Sequence, residues 1–271
     1  MVARILAAVL LLPLLVVMLL LLPTWVTAVV AGLAVAIAAY ELLWCTGLVK
    51  QKRLVAYTAL MGFGTAIWSY FGMPYLAALV GILVFVGLLY AEELASKATI
   101  SYEKLTVCLA GGLLIPFMLT ALVRIHGMSQ GRALVVIPFV MAFMSDTGAY
   151  FVGCAIGKHK LAPTISPKKS VEGVFGGVAG AILGMVVLCL VLQHFFGYQV
   201  NYYYAAIYGL AGSLAAVFGD LSFSAIKRQA GIKDYGNLIP GHGGVLDRFE
   251  SMTVVAPLAE ILLMLLPIAV K

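Results

Sequence analysis

The sequence predicts an all-α, polytopic transmembrane helical protein with about nine spans, and three observations carry that expectation. Of its 271 residues, 63% are hydrophobic and only 10% charged, which leaves too little polar surface to clothe a water-soluble domain. The apolar residues fall in runs close to the ~20 residues a helix needs to cross a bilayer. The cations collect in alternate connections between those runs, as expected when basic loops stay in the cytoplasm during insertion.

Taken in order, the runs lie at 5–22, 24–45, 54–71, 75–91, 105–125, 133–156, 173–195, 203–226 and 250–270, each delimited by charge, Pro or Gly. The first follows Arg4; it exceeds the ~7–15 apolar residues of a signal peptide, and a second run follows at once, so it reads as an uncleaved span. With the N-terminus cytoplasmic, 14 of the 17 Lys and Arg lie on that side and only Arg124, Arg132 and Lys271 on the other. An odd span count then puts the C-terminus on the opposite side. The chain divides into an N-terminal transmembrane region of about five spans, 1–125, and a C-terminal transmembrane catalytic region, 126–271, with cytoplasmic loops 157–172 and 227–249. Cys45, Cys108, Cys154 and Cys189 are scattered without metal or disulfide spacing and read as small core residues.

Function is sought where acids stand in apolar surroundings. Asp146, in Ser145-Asp146-Thr147-Gly148, lies about 15 Å inside the cytoplasmic end of the sixth run at 1.5 Å per residue. An ionised carboxylate there costs about 3 kcal/mol unless it meets water, a cation or a partner; the plainer alternative is a hydrogen bond between helices, aided by Thr147. Asp220 heads a stripe of Asp220, Ser224, Lys227 and Arg228, spaced by four, three and one, which leads from a buried acid to surface cations. Glu41 and Glu260 also fall in runs, without neighbouring cations or glycine turns, and read as hydrogen-bonding groups between helices.

Two basic loops border these acids. Asp247, three residues before Glu250 and an apolar run, has the form of a helix capping box. Just before it, Pro240-Gly241-His242-Gly243-Gly244 supplies glycines that let backbone amides converge on an anion. In the other loop, Ser166-Pro167 reads as the N-cap and first residue of a helix, and Lys168 with Lys169 would make that N-terminus attractive to phosphate. The two loops bring eight Lys or Arg, four in each, toward acids able to hold a metal, a combination suited to a polyphosphate.

The run Ser224-Ala225-Ile226-Lys227-Arg228, then Lys233-Asp234-Tyr235-Gly236-Asn237, then Pro240-Gly241-His242-Gly243-Gly244-Val245-Leu246-Asp247-Arg248-Phe249 resembles the signature of the phosphatidate cytidylyltransferase (CDP-diacylglycerol synthase) family. Ser145 to Tyr150 and Ser166-Pro167-Lys168-Lys169 look like that family too, whereas the first four runs offer no comparable motif. One departure is Glu250, which stands where the family pattern has Asp; this leaves it a supporting or capping role.

The resemblance implies that CTP and phosphatidic acid give CDP-diacylglycerol and pyrophosphate, with Mg²⁺ and a second cation such as K⁺, in the inner (cytoplasmic) membrane of a bacterium with the site facing the cytoplasm. On that footing Asp220 and Asp247 hold metal with Asp146 nearby, and Lys227 and Arg228 join them as catalytic groups. Ser166, Lys168, Lys169, Ser224, Lys233, Asp234, His242, Gly243, Gly244 and Arg248 are the substrate-binding candidates. Membrane lipids and a second copy of the chain are the expected partners, and nucleic acid is not. Two other readings stay open: a cation-coupled secondary transporter, which also buries acids in its spans but has no need of eight cations beside a glycine turn, and a CTP-dependent lipid kinase, which would release CDP.

Overall fold

The computed structural model describes residues 13–96, 100–239, 241 and 243–271. Six of its helices are long and apolar enough to cross a membrane: α1 (Thr24–Cys45), α3 (Tyr75–Ala95), α4 (Tyr102–His126), α5 (Gly131–Ile156), α6 (Val171–Phe196) and α7 (Tyr202–Gln229). They coincide with six of the nine expected segments. Between α1 and α3, α2 (Lys52–Tyr70) forms where a seventh was expected, but Lys52, Arg53, Thr58, Thr65 and Ser69 make it less apolar. Of the first expected segment, residues 5–12 lie outside the described residues, and 13–21 is helical and stops before Pro23. The chain is thus a predominantly helical membrane protein, and it divides into two compact units.

The first unit comprises Met1–Gly127 and Gln229–Phe249. Helices α1 and α2 approach closely because Gly32 leaves room for the Phe63 ring, which would lie 2.8 Å from a Cβ at that position. The end of α4 is tied in by polar contacts: His126 Nδ1 lies 2.8 Å from Thr27 Oγ1, and Ser69 donates to Thr120 at 3.0 Å. Arg124 was counted among the cations of the opposite side. It is buried, donating to Phe117 O at 3.0 Å and lying 4.6 Å over the Phe117 ring, so its charge is spent inside the protein. Helix α3 keeps Leu76, Leu79, Val80, Leu83 and Val84 exposed, as suits a helix whose solvent is hydrocarbon.

The second unit comprises Met128–Arg228 and Glu250–Lys271. Its axis is the pair α5 and α6, whose glycines bring the two backbones together: a Cβ at Gly180 would lie 2.6 Å from Met144 O, and one at Gly148 would overlap Gly176 O. Close approach through small residues is how helices associate where lipid removes the hydrophobic drive. Ser145 and Ser213 join α5 to α7 through a 2.8 Å hydrogen bond. Thr147 does not take part between helices, since its hydroxyl donates to Phe143 O one turn back at 2.7 Å.

The connection from α5 to α6 corrects an expectation. Ser166–Ser170 is a strand, β2, paired antiparallel with β1 (Lys160–Ala162), and α6 starts only at Val171. The residue before a proline favours extended backbone, which suits a strand as well as a helix N-cap, and the pairing with β1 decides for the strand. Ser170 is the cap instead, its hydroxyl accepting the Gly173 N–H at 3.2 Å.

The last expected span is also shorter than the sequence suggested. After the four-residue helix α8 (Leu246–Phe249), α9 runs over Met252–Leu265, only 14 residues, or about 21 Å at 1.5 Å per residue against a hydrocarbon core of about 30 Å. Its start is packed beside Gly219, where a Cβ would lie 2.8 Å from Glu250 O, ten residues before the end of α7. Its far end lies by the start of α7, where Tyr208 donates to Leu266 O at 3.1 Å. Ala269–Val270 (β4) then pairs with Gln199–Val200 (β3). Of the four cysteines, Cys108 and Cys189 are buried as expected, whereas Cys45 and Cys154 are exposed.

Candidate active site

In the second unit the hairpin and the end of α7 bring the expected residues together. Lys169, on β2, forms an ion pair with Asp220 Oδ2, and Arg228 Nε donates to Ile165 O at 3.3 Å. Both link the hairpin to α7. Along the stripe on α7, Asp220 is half-buried, Ser224 and Lys227 are buried and Arg228 is exposed. The Lys227 ammonium is paired with Glu250 Oε1, both side chains being less than one-tenth exposed. Lys227 therefore enters the site already holding a carboxylate, and Glu250 is its counter-ion. Asp146 is exposed, so its charge is not shut in dry protein. Ser166 is half-buried and Lys168 exposed on β2.

Glu172, which the sequence did not single out, organises this loop. Its carboxylate accepts the Lys158 and His159 N–H groups at 3.2 Å and lies 2.6 Å from His159 Nδ1. An acid in the first turn of a helix is favoured by the aligned backbone dipoles, a signal that was present in Ser170-Val171-Glu172.

In the first unit the basic loop folds around Asp247. Asp247 is buried, and a single oxygen, Oδ2, accepts the Tyr235 N–H at 2.8 Å and the Gly244 N–H at 2.9 Å. Gly243 has φ of 85°, a conformation that glycine adopts without steric cost, and a Cβ there would crowd Asp247 Oδ2 at 2.9 Å. The expected capping box does not form: Asp247 turns back toward Gly244, and Glu250 belongs to the Lys227 pair. The next two amides, of Val245 and Leu246, donate to Glu41 Oε1 at 2.9 Å and Oε2 at 2.8 Å. The Gly244 amide, expected to face an anion, is thus taken by the protein's own carboxylate, as are the two amides that follow it. Lys233, Asp234 and Arg248 are exposed; His242 lies outside the described residues.

The donors in both units are carboxylate and hydroxyl oxygens. Among the described residues no three His, Cys, Asp or Glu side chains gather into a group that could hold a metal by itself. That donor set fits Mg²⁺, which keeps several waters and binds through one or two carboxylates plus substrate phosphates, and not a fully protein-built cage.

Six long apolar helices define an integral membrane protein. Residues 2–266 match the model of the cytidylyltransferase family. The chain is 33% identical to a phosphatidate cytidylyltransferase of Bacillus subtilis over 239 residues, 85% of this chain and 86% of the relative. It is 43% identical over 135 residues to a Staphylococcus epidermidis protein of the same name, and 41% to one of Staphylococcus aureus. Those matches span about half the length of each staphylococcal relative. The chain belongs to the cytidylyltransferase family.

Proposed function

We propose that the chain transfers the cytidylyl group of CTP to phosphatidic acid, giving CDP-diacylglycerol and pyrophosphate. The observation that carries this reading is the Lys169–Asp220 ion pair on an apolar helix, supported by family membership. A lysine held on an acid at the mouth of a span is poised to exchange that acid for a phosphate. The lipid phosphate is already an anionic nucleophile: its oxygen bonds to the α-phosphorus of CTP as the bond to the β-phosphate oxygen breaks, and pyrophosphate departs with that electron pair. The protein must align the two reactants and offset charge on the leaving group.

Lys168, Lys169 and Arg228 in the second unit, and Lys233 and Arg248 in the first, bind phosphate oxygens in this scheme. Asp220, with Asp146 on a neighbouring helix, is the second unit's carboxylate for Mg²⁺, and Asp247 is the first unit's. The ion, when bound, supplies Lewis-acid neutralisation of phosphate charge. Lys227 and Glu250 hold the end of α7 against the start of α9 and act on the reaction by keeping Asp220 in place.

We further assign nine spans with the N-terminus and basic loops in the cytoplasm of a bacterial cell. Supporting this is the burial of Arg124, which leaves only Arg132 and Lys271 as surface cations of the opposite side. A homodimer rests on the family resemblance and is read out by cross-linking in membranes. Purified protein given CTP, Mg²⁺ and phosphatidate should release pyrophosphate and form a CDP-lipid. A phosphorylated lipid with CDP would instead identify a kinase, and ion-driven flux in liposomes without CTP would identify a transporter.

A further inference from the structure

Glu41 is only 2% exposed and lies inside α1, where an ionisable side chain is expensive and marks a specific task. It opens a five-residue π-turn, Glu41–Cys45, with the Thr46 N–H reaching Glu41 O at 3.3 Å; such wide turns recur at functional positions in helices. Its two oxygens divide the work: Oε1 accepts the Val245 N–H at 2.9 Å and Oε2 the Leu246 N–H at 2.8 Å. Two glycines close around it. A Cβ at Gly236 would lie 2.7 Å from Oε1, and one at Gly244 would overlap the carboxylate. A side chain at either place would push the Glu41 carboxylate away from the amides it holds.

The residues so held are the two immediately before Asp247. Asp247 in turn gathers Tyr235 and Gly244 onto one oxygen. The buried acid of α1 therefore fixes the backbone from which Asp247 projects, across 204 residues of sequence. We propose that Glu41 is a positioning residue for Asp247, setting the carboxylate's place by clamping the Val245 and Leu246 amides. The role rests on the reading of Asp247 as a group that serves cytidylyl transfer. Misplacing such a group by about 1 Å suffices to cost about 10²-fold in rate, so the effect belongs in kcat and not in lipid affinity.

Glu41→Gln and Glu41→Ala separate this role from general support. Gln retains one acceptor oxygen, but its amide group turns a donor toward the other N–H; Ala removes both acceptors. Glu41→Ala should lower kcat by about 10²-fold and Glu41→Gln by less, with KM for phosphatidate within about two-fold of wild type. Amide hydrogen exchange on the protein without CTP or Mg²⁺ gives the second readout. Val245 and Leu246 should both lose protection in Glu41→Ala and one of the two in Glu41→Gln, while the amides of α7 keep theirs. Unchanged kcat in Glu41→Ala, an effect confined to KM, or unchanged protection at Val245 and Leu246 would overturn the proposal. Wild-type protein that forms no CDP-lipid would overturn the cytidylyl-transfer reading, and the exchange result would still decide whether Glu41 holds the turn.

Discussion

Asp247 and Glu41 are both buried acids that accept two backbone amides, yet they differ in how. Both amides on Asp247 converge on one oxygen, so an Asn with its carbonyl in that place keeps both of these bonds while losing the charge. Asp247→Asn is therefore expected to leave the loop folded and to lower turnover by about 10²-fold or more. Steady-state rates together with amide exchange over 235–247 check this, and near-normal turnover would remove Asp247 from the reaction. Lys227 and Glu250 make a different kind of pair, enclosed on both sides. Removing one charge strands the other, at a cost of about 3–5 kcal/mol. Glu250→Gln should accordingly lower the thermal unfolding midpoint in detergent, and Lys227→Met added to it should recover part of the loss. At this scale the sequence displayed every acid but not its partner. Asp247 with Glu250 spelled a capping box in one dimension, whereas in space one carboxylate turns back onto its own loop and the other goes to Lys227.

Helices α5 and α6 hold the second unit together through backbone contact at Gly148, Gly176 and Gly180. A bulky side chain there has nowhere to go, because it meets backbone at Gly148 and Gly180 and the stem of Val152 at Gly176. Gly180→Leu is expected to cost more than the 1–3 kcal/mol of ordinary overpacking, seen as low yield or a depressed unfolding midpoint. Ser170→Ala removes one capping hydrogen bond and should cost about 1 kcal/mol with little change in fold; an unaltered midpoint would show that the hairpin alone fixes the start of α6. The long apolar helices were legible because composition and length suffice to specify them. The hairpin was not, since Ser-Pro fits both a helix start and an edge strand, and the choice depends on β1 as a partner. The length of α9 was misjudged at its far end: it begins at Met252, close to the expected 250, but stops at Leu265, before Pro267, and the chain continues into a strand whose partner, β3, is remote in sequence.

Across the whole molecule, charge distribution is the feature most open to test. In a single-cysteine background, a cysteine replacing Lys271 should react with an impermeant reagent added outside intact cells, and one replacing Lys160 only after permeabilisation; the reverse pattern would invert the assigned topology. Family membership and the basic loops were readable from motif spacing, while the way each unit uses its carboxylates needed the fold. Cytidylyl transfer is tested most directly by mass spectrometry of the lipid product from purified protein, CTP and phosphatidate, with Mg²⁺ and with chelator. The expected result is CDP-diacylglycerol with an equal amount of pyrophosphate, abolished by chelator and by Asp220→Asn. A phosphorylated lipid accompanied by CDP, or CDP-diacylglycerol formed at the same rate by Asp220→Asn, would contradict it.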